Sequence, residues 1–256
     1  MYEVTALRYG TRETRKSECY LDYDSYGEPD EAIAMDYFFW VFRNGRESIV
    51  VDTGFHPDVG ERRGRTCLCP PVDALRRIGV EPESVETVIL THLHYDHTGN
   101  VDAFPAAELA VQRRELEFWT SPEAKEPRHA AVVEPAEIER IAAAGVRLLE
   151  GDGQIAPGID AICVGGHSPG QTVLLVEGKD GPVVLASDAI HYYEELELER
   201  PFEIFYDLEA MIEGYRIVRG LAEQPGAALV AGHDPEVMKR FPALGEDVAG
   251  LGVRIA

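Results

Sequence analysis

THLHYDHTGN, residues 91–100, is the stretch on which the reading of this chain turns. Four of its ten residues, His92, His94, Asp96 and His97, carry side chains that bind metal ions. The apolar run Val88-Ile89-Leu90 precedes them, so the stretch begins where a buried strand stops. On an extended segment alternate side chains point the same way, which lets His92 and His94 share one ion. Asp96 and His97 follow where the strand turns into a loop, and they reach a second point nearby. Imidazole suits zinc or iron, and a carboxylate completes or bridges such a site.

More ligand-type residues follow, each at the end of an apolar run. Gly165-Gly166-His167-Ser168-Pro169-Gly170 sets a histidine on a glycine-rich turn, Ala186-Ser187-Asp188 ends in an acid, and Ala231-Gly232-His233-Asp234 ends in a histidine. Strand ends that converge on one sheet edge are where α/β proteins build sites. The pattern predicts strands over 2–9, 35–42, 48–51, 85–90, 159–164, 172–176, 183–186 and 227–231, with Asn44-Gly45 as a hairpin turn. Helices are expected over 71–79, 112–119, 135–144, 207–221 and 235–240, that of 207–221 with Leu208, Met211, Ile212, Tyr215 and Val218 as its apolar stripe. The polar residues 10–35 read as a long loop. Strands in both halves with helices between them support α/β or α+β, two sheets packed together with helices outside, in one domain over 1–256.

HLHYDH, GHSPG, SD and GH, in that order, resemble the metallo-β-lactamase-fold hydrolases, and Asp52-Thr53-Gly54 stands where that superfamily carries its own DTG turn. The resemblance spans residues 49–234 and five of the eight histidines. It implies an αββα sandwich of two mixed β-sheets flanked by helices, with two metals at one edge. By that resemblance His92, His94 and His167 would hold one ion, Asp96, His97 and His233 the other, and Asp188 would bridge them. Asp52 would orient ligands from behind. The ions would be two Zn2+, with iron, manganese or cobalt as alternatives. His56 and His129 fall outside the pattern and read as ordinary imidazoles.

Within the superfamily, HLHYDHTGN, GGHSPGQ, SDAIHYYE and AGHDPE resemble the quorum-quenching N-acyl homoserine lactone lactonases and their relatives. In those enzymes a tyrosine shortly after the bridging aspartate contacts the substrate carbonyl. Here His191 is third after Asp188, followed by Tyr192 and Tyr193, so either Tyr192 or His191 would take the role. The implied reaction is ring opening: a bridging hydroxide attacks the lactone carbonyl, one metal with His191 or Tyr192 stabilises the oxyanion, and Asp96 passes a proton to the leaving oxygen. Residues 191–209 hold seven acids, one arginine and five aromatics, an ordinary solvated composition whose position also suggests a pocket wall. Tyr193, Phe202, Phe205 and Tyr206 are expected there, and Phe55 is a further substrate-contact candidate.

Composition narrows the alternatives. The 256 residues carry 24 basic and 46 acidic side chains, a net charge of −22 that disfavours nucleic acid as partner and a nuclease as function. A glutathione-type thioesterase would need basic residues near the C-terminus, where Lys239, Arg240 and Arg254 are the ones available. An exported β-lactamase fits poorly with an acid at position 188, and a flavin-linked oxidoreductase would need an extra domain. Other cyclic ester or amide hydrolases, such as a pyridoxolactone-type enzyme, fit the same motifs, and so does a metal-binding sensor without turnover. With no apolar run of membrane-spanning length and no visible signal peptide, the chain is expected to be cytoplasmic and free of membrane. Cys19, Cys67, Cys69 and Cys163 are too few and too scattered for a disulfide framework. Tyr37-Phe38-Phe39-Trp40 is too aromatic for a solvated strand and calls for cover on both faces, by core or by a second copy in a homodimer.

Overall fold

Two long strands, β1 (Glu3–Arg15) and β2 (Ala32–Asn44), pair antiparallel along their lengths and found the first sheet. From Met35 to Phe42 every residue of β2 is buried, so both faces of the aromatic run are covered within the single chain. The computed structural model describes residues 1–45, 47–245, 248 and 250–256. β3 (Glu47–Val51) returns beside β2, and β4 (Thr66–Cys67) lies on the other side of β1. β5 (Thr87–Ile89), β6 (Glu108–Gln112) and β7 (Arg147–Leu149) then add in parallel to β3. β8 (Gly153–Ala156), β9 (Ile159–Cys163), β10 (Thr172–Gly178), β11 (Gly181–Ser187) and β12 (Ala228–Ala231) make the second sheet, and β13 (Gly252–Arg254) rejoins the first against β1. Both sheets are mixed: only β11 and β12 run parallel in the second.

One apolar core cluster includes Trp40, Val50 and Val88 from the first sheet and Leu174, Val184 and Val230 from the second. Around them sit α1 (Pro57–Arg62), α2 (Pro71–Arg77), α3 (Tyr95–Thr98), α4 (Arg113–Trp119), α5 (Pro127–Ala130), α6 (Pro135–Ala143), α7 (Tyr193–Leu198), α8 (Leu208–Ala222) and α9 (Val237–Arg240). α8 starts where the Asp207 side chain accepts from the Ala210 amide at 3.0 Å. It buries Met211, Gly214, Tyr215 and Val218, whereas Ile212, expected on the stripe, faces out at 38% exposure. Gly214 takes an inward place beside Val164, where an added Cβ would make an ordinary contact at 3.5 Å. The arrangement is the αββα sandwich, two mixed sheets flanked by helices. Among the described residues no helix is long and apolar enough to cross a membrane, and all four cysteines are free thiols.

Residues 10–35 are not a continuous loop. β1 runs on through Arg15 and pairs with 32–37, because its polar residues alternate between the sheet's covered and solvated sides. Only 16–31 connects the strands, and it is anchored by buried Cys19, Tyr20 and Tyr23.

The ligand-type residues sit at the C-terminal ends of β3, β5, β9, β11 and β12, which all point to one edge. There α3 ends against the turn after β3. The Gly99 amide donates to Gly54 O at 2.7 Å, and a Cβ on Gly99 would stand 2.5 Å from His56 N and 2.8 Å from Phe55 Cα. Gly99→Ala is therefore expected to lower stability by about 1–3 kcal/mol, as overpacking against backbone does. Gly153→Ala, which meets nothing within 4 Å, should be neutral or stabilising by up to about 1 kcal/mol. Urea unfolding midpoints of the two variants check this; equal midpoints would contradict it.

Candidate metal centre

Asp52 occupies a left-handed backbone position (φ 60°) just after β3, which aims its fully buried carboxylate at the β5 loop. One oxygen accepts from the Thr91 amide at 2.8 Å. The other accepts from Thr91 Oγ1 at 2.8 Å and from His97 Nδ1 at 2.7 Å. The bond to His97 fixes that ring and leaves the Nε2 lone pair free to bind an ion. The same device recurs: His233 Nδ1 donates to Asp36 O at 2.8 Å and His167 Nδ1 to Ile204 O at 2.9 Å. Ser187, the last residue of β11, is also left-handed (φ 47°), so both acids before the site hang on strained turns.

Seven buried donor side chains converge there. His92, His94 and His167 offer ligand atoms within 4.8 Å of one another, and so do Asp96, His97 and His233. Asp188 lies between the two sets, with Oδ2 3.1 Å from His233 Nε2, 3.5 Å from His167 Nε2 and 3.8 Å from His92 Nε2, and Oδ1 3.5 Å from His97 Nε2. His94 Nδ1 and His167 Nε2 stand 2.9 Å apart. Two nitrogens on one tetrahedral zinc stand about 3.3 Å apart, given bonds of about 2.0–2.1 Å. His92 Nε2, His97 Nε2 and Asp188 Oδ1 are buried without a hydrogen-bond partner among the described residues. Orphaned polar atoms are costly unless something satisfies them, and these are the atom types a divalent ion takes. The donor set fits a metal.

Charge divides the cluster. Burial, reinforced by neighbouring imidazoles, holds His94 down to about 3 and holds His92 and His167 well below the usual value, so these rings are neutral with lone pairs free. For His97 burial acts the same way, but Asp188, Asp52 and Asp96 outweigh it and raise its pKa. Burial would raise Asp188, and His233, His97 and His191 together hold it well below the carboxylate range.

The cleft over the cluster includes His94, Asp96, His167, Asp188, His191 and His233 in its lining, and its walls include Tyr95, Val132, Phe202 and Ile204. Other residues expected at the site lie elsewhere. The Tyr192 hydroxyl is turned away, donating to Ala34 O at 3.1 Å beside Cys19, because the chain enters α7 there. Tyr193 donates to Leu229 O at 3.0 Å under the Arg240 guanidinium. Phe55 is core, packed edge-on against Tyr9 and Tyr37. Phe205 and Tyr206 face solvent, and Ile204 fills the wall in their place. His191 does reach the cluster, its Nε2 3.3 Å from Asp188 and its ring stacked on Phe202 at 3.5 Å.

Three residues were missed because one carboxylate or carbonyl in a helix or strand carries no local pattern. Asp36 supplies the carbonyl that holds His233. Glu195, fully buried, accepts from the His191 and Tyr192 amides at 2.8 Å each and from the Tyr215 hydroxyl at 2.8 Å. Glu115, also fully buried, accepts from the Leu93 amide at 3.0 Å, Trp119 Nε1 at 2.6 Å, Ser168 Oγ and the Gly170 amide. It thereby ties the loop of His92 and His94 to the turn of His167. Glu115→Gln puts an amide NH2 among four donors. The expected cost is about 1–3 kcal/mol of stability and a 10–100-fold weaker hold on the metal of the three-histidine set, about what a lost supporting partner costs. Denaturation of the metal-free protein and competition with a chelator measure the two; unchanged chelator competition would contradict the bracing role.

The chain is similar to characterised proteins. It is 28% identical over 236 residues to an N-acyl homoserine lactonase of a Bacillus species, covering 85% of this chain and 90% of that protein. Among solved structures it matches a quorum-quenching N-acyl homoserine lactone lactonase with a TM-score of 0.79 at 24% identity, over 94% of this chain and 95% of that one. It also matches AidC, described as a dizinc quorum-quenching lactonase, with a TM-score of 0.74 at 18% identity, over 91% and 88%. The family description "Metallo-beta-lactamase superfamily" fits residues 36–238, the span from β2 through α9 that holds all seven donors. The chain belongs to the metallo-beta-lactamase superfamily, as a metal-dependent hydrolase.

Proposed function

We propose that the chain opens the ring of N-acyl homoserine lactones or a related lactone, using two divalent ions, zinc by preference. The observation that carries this reading is the pair of buried ligand trios with Asp188 between them and His191 beside them. The similarity to named N-acyl homoserine lactonases supports the substrate class, and the dizinc description of AidC supports the metal count. His92, His94 and His167 would hold one ion, Asp96, His97 and His233 the other, with Asp188 shared. A bound ion pair supplies hydroxide at neutral pH and polarises a carbonyl.

The protein's own residues do the rest. Asp52 and the Asp36 and Ile204 carbonyls keep His97, His233 and His167 in one tautomer and one orientation. His191 takes the carbonyl-facing role in place of Tyr192. Burial works to deprotonate it, but in the chain without ions Asp188 and Glu195 raise it to about 9, and its Nε2–H would be the donor in the loaded site. That N–H donates to the oxygen on which charge develops. Stacking on Phe202 and the Glu195 bonds to the adjacent backbone hold the ring in place. Asp96, at the cleft surface, carries the proton to the ring oxygen as it leaves. The product is a hydroxy acid.

Asp188→Ala should lower the metal content from two equivalents per chain and abolish lactone hydrolysis. Elemental analysis and a lactone panel check this, and two retained equivalents with full activity would sink the assignment. His191→Phe should lower kcat by about 10²–10³, the usual loss for one oxyanion donor, with the metal content unchanged. An unchanged kcat would reduce His191 to packing.

A further inference from the structure

Two arginines of this acidic protein face the metal cleft. Arg12 on β1 and Arg65 just before β4 line it together with Asp96, Asp188 and His233. β1 and β4 pair Thr11 with Thr66, and the same register one residue on sets Arg12 directly across from Arg65. Like charges directly opposite on paired strands repel. Most of the other described arginines are answered by acids, as Arg200 is by Glu28 and Glu194 and Arg63 by Glu134. Neither Arg12 nor Arg65 has a carboxylate within 4.0 Å among the described residues. Arg12 Nε is buried with no hydrogen-bond partner there. Arg65 gives Nε to the Tyr95 hydroxyl at 3.0 Å and one terminal nitrogen to Arg63 O at 2.6 Å, which fixes its plane and leaves the other terminal nitrogen unengaged. A half-buried guanidinium pair with no carboxylate in contact, one member held in plane by its hydrogen bonds, is a receptor for an anion, and its planar fork matches a carboxylate.

Space agrees with charge. The cleft offers about 60 Å³, room for a reacting ring edge but not for a whole substrate. The remainder of the substrate must therefore extend beyond it, past the arginines that line it. We propose that Arg12 and Arg65 form an anion clamp, and that the preferred substrate is a lactone bearing a carboxylate remote from the scissile carbonyl. The lactone part rests on the function proposed above; the clamp does not.

The test uses the zinc-loaded protein and N-succinyl and N-pentanoyl homoserine lactone, which are similar in length but end in a carboxylate and a methyl. The wild type should favour the succinyl compound in kcat/KM by tenfold or more, and Arg12→Gln/Arg65→Gln should cut that ratio at least tenfold. Calorimetry with glutarate and pentanoate provides a readout free of turnover. Glutarate should bind the wild type at least tenfold tighter than pentanoate, with an advantage that shrinks as salt rises and vanishes in the double variant. If neither lactone is hydrolysed, the lactone reading fails and the glutarate measurement alone decides the clamp. A wild type without preference for the dicarboxylate, or a preference that salt and the double substitution leave intact, overturns the clamp. If the double variant does not fold, the salt dependence in the wild type decides it.

Discussion

A buried carboxylate that accepts every donor around it is the constraint on which this site depends, and the protein uses it three times. Asp52 spends its oxygens on Thr91 and His97, Glu115 on the loops of His94 and His167, and Glu195 on the backbone of His191. None of the three is offered to a metal. Each is surrounded by fixed N–H and O–H groups, which satisfy the oxygens of a carboxylate taken out of water. Burial still raises Asp52 and Glu115 above the usual carboxylate range, so the donors only partly cancel its effect. The ligands in front inherit their geometry from these acids behind.

The sheets supply the rest. Strands whose C-terminal ends point to one edge deliver five separate loops there, and three of them leave through backbone that ordinary residues rarely adopt, at Asp52, at Gly165-Gly166 and at Ser187. Local strain of this kind survives where the surroundings over-determine it. Here the surroundings are a shared core between the sheets and backbone contacts as close as Gly99 against Gly54. Packing rigidity thus becomes ligand precision.

Much of this was legible in the sequence, and the division has a physical cause. The donors lie in short local patterns at strand ends, so HLHYDH, GHSPG, SD and GH could be read one at a time. The supporting groups could not, because Glu115 and Glu195 acquire meaning only from partners brought in by the fold. β1 beyond Tyr9 was hidden because its polar residues imitate a loop, although they alternate against β2. After Asp188 the sequence left His191 and Tyr192 open as alternatives. Entry into α7 turns the Tyr192 hydroxyl toward Ala34 and leaves His191 on the cleft side. Phe55 looked like a pocket residue through its closeness in sequence to Asp52, but a neighbour in sequence at a sharp turn points elsewhere in space.

The central claim is a two-ion site bridged by Asp188. Anomalous diffraction from crystals of the metal-loaded protein, collected on either side of the metal absorption edge, tests it most directly. The account predicts two peaks about 3.5–4 Å apart, one among His92, His94 and His167, the other among Asp96, His97 and His233, with the Asp188 carboxylate touching both. A single peak at full occupancy, or two peaks with Asp188 bound to neither, would contradict it.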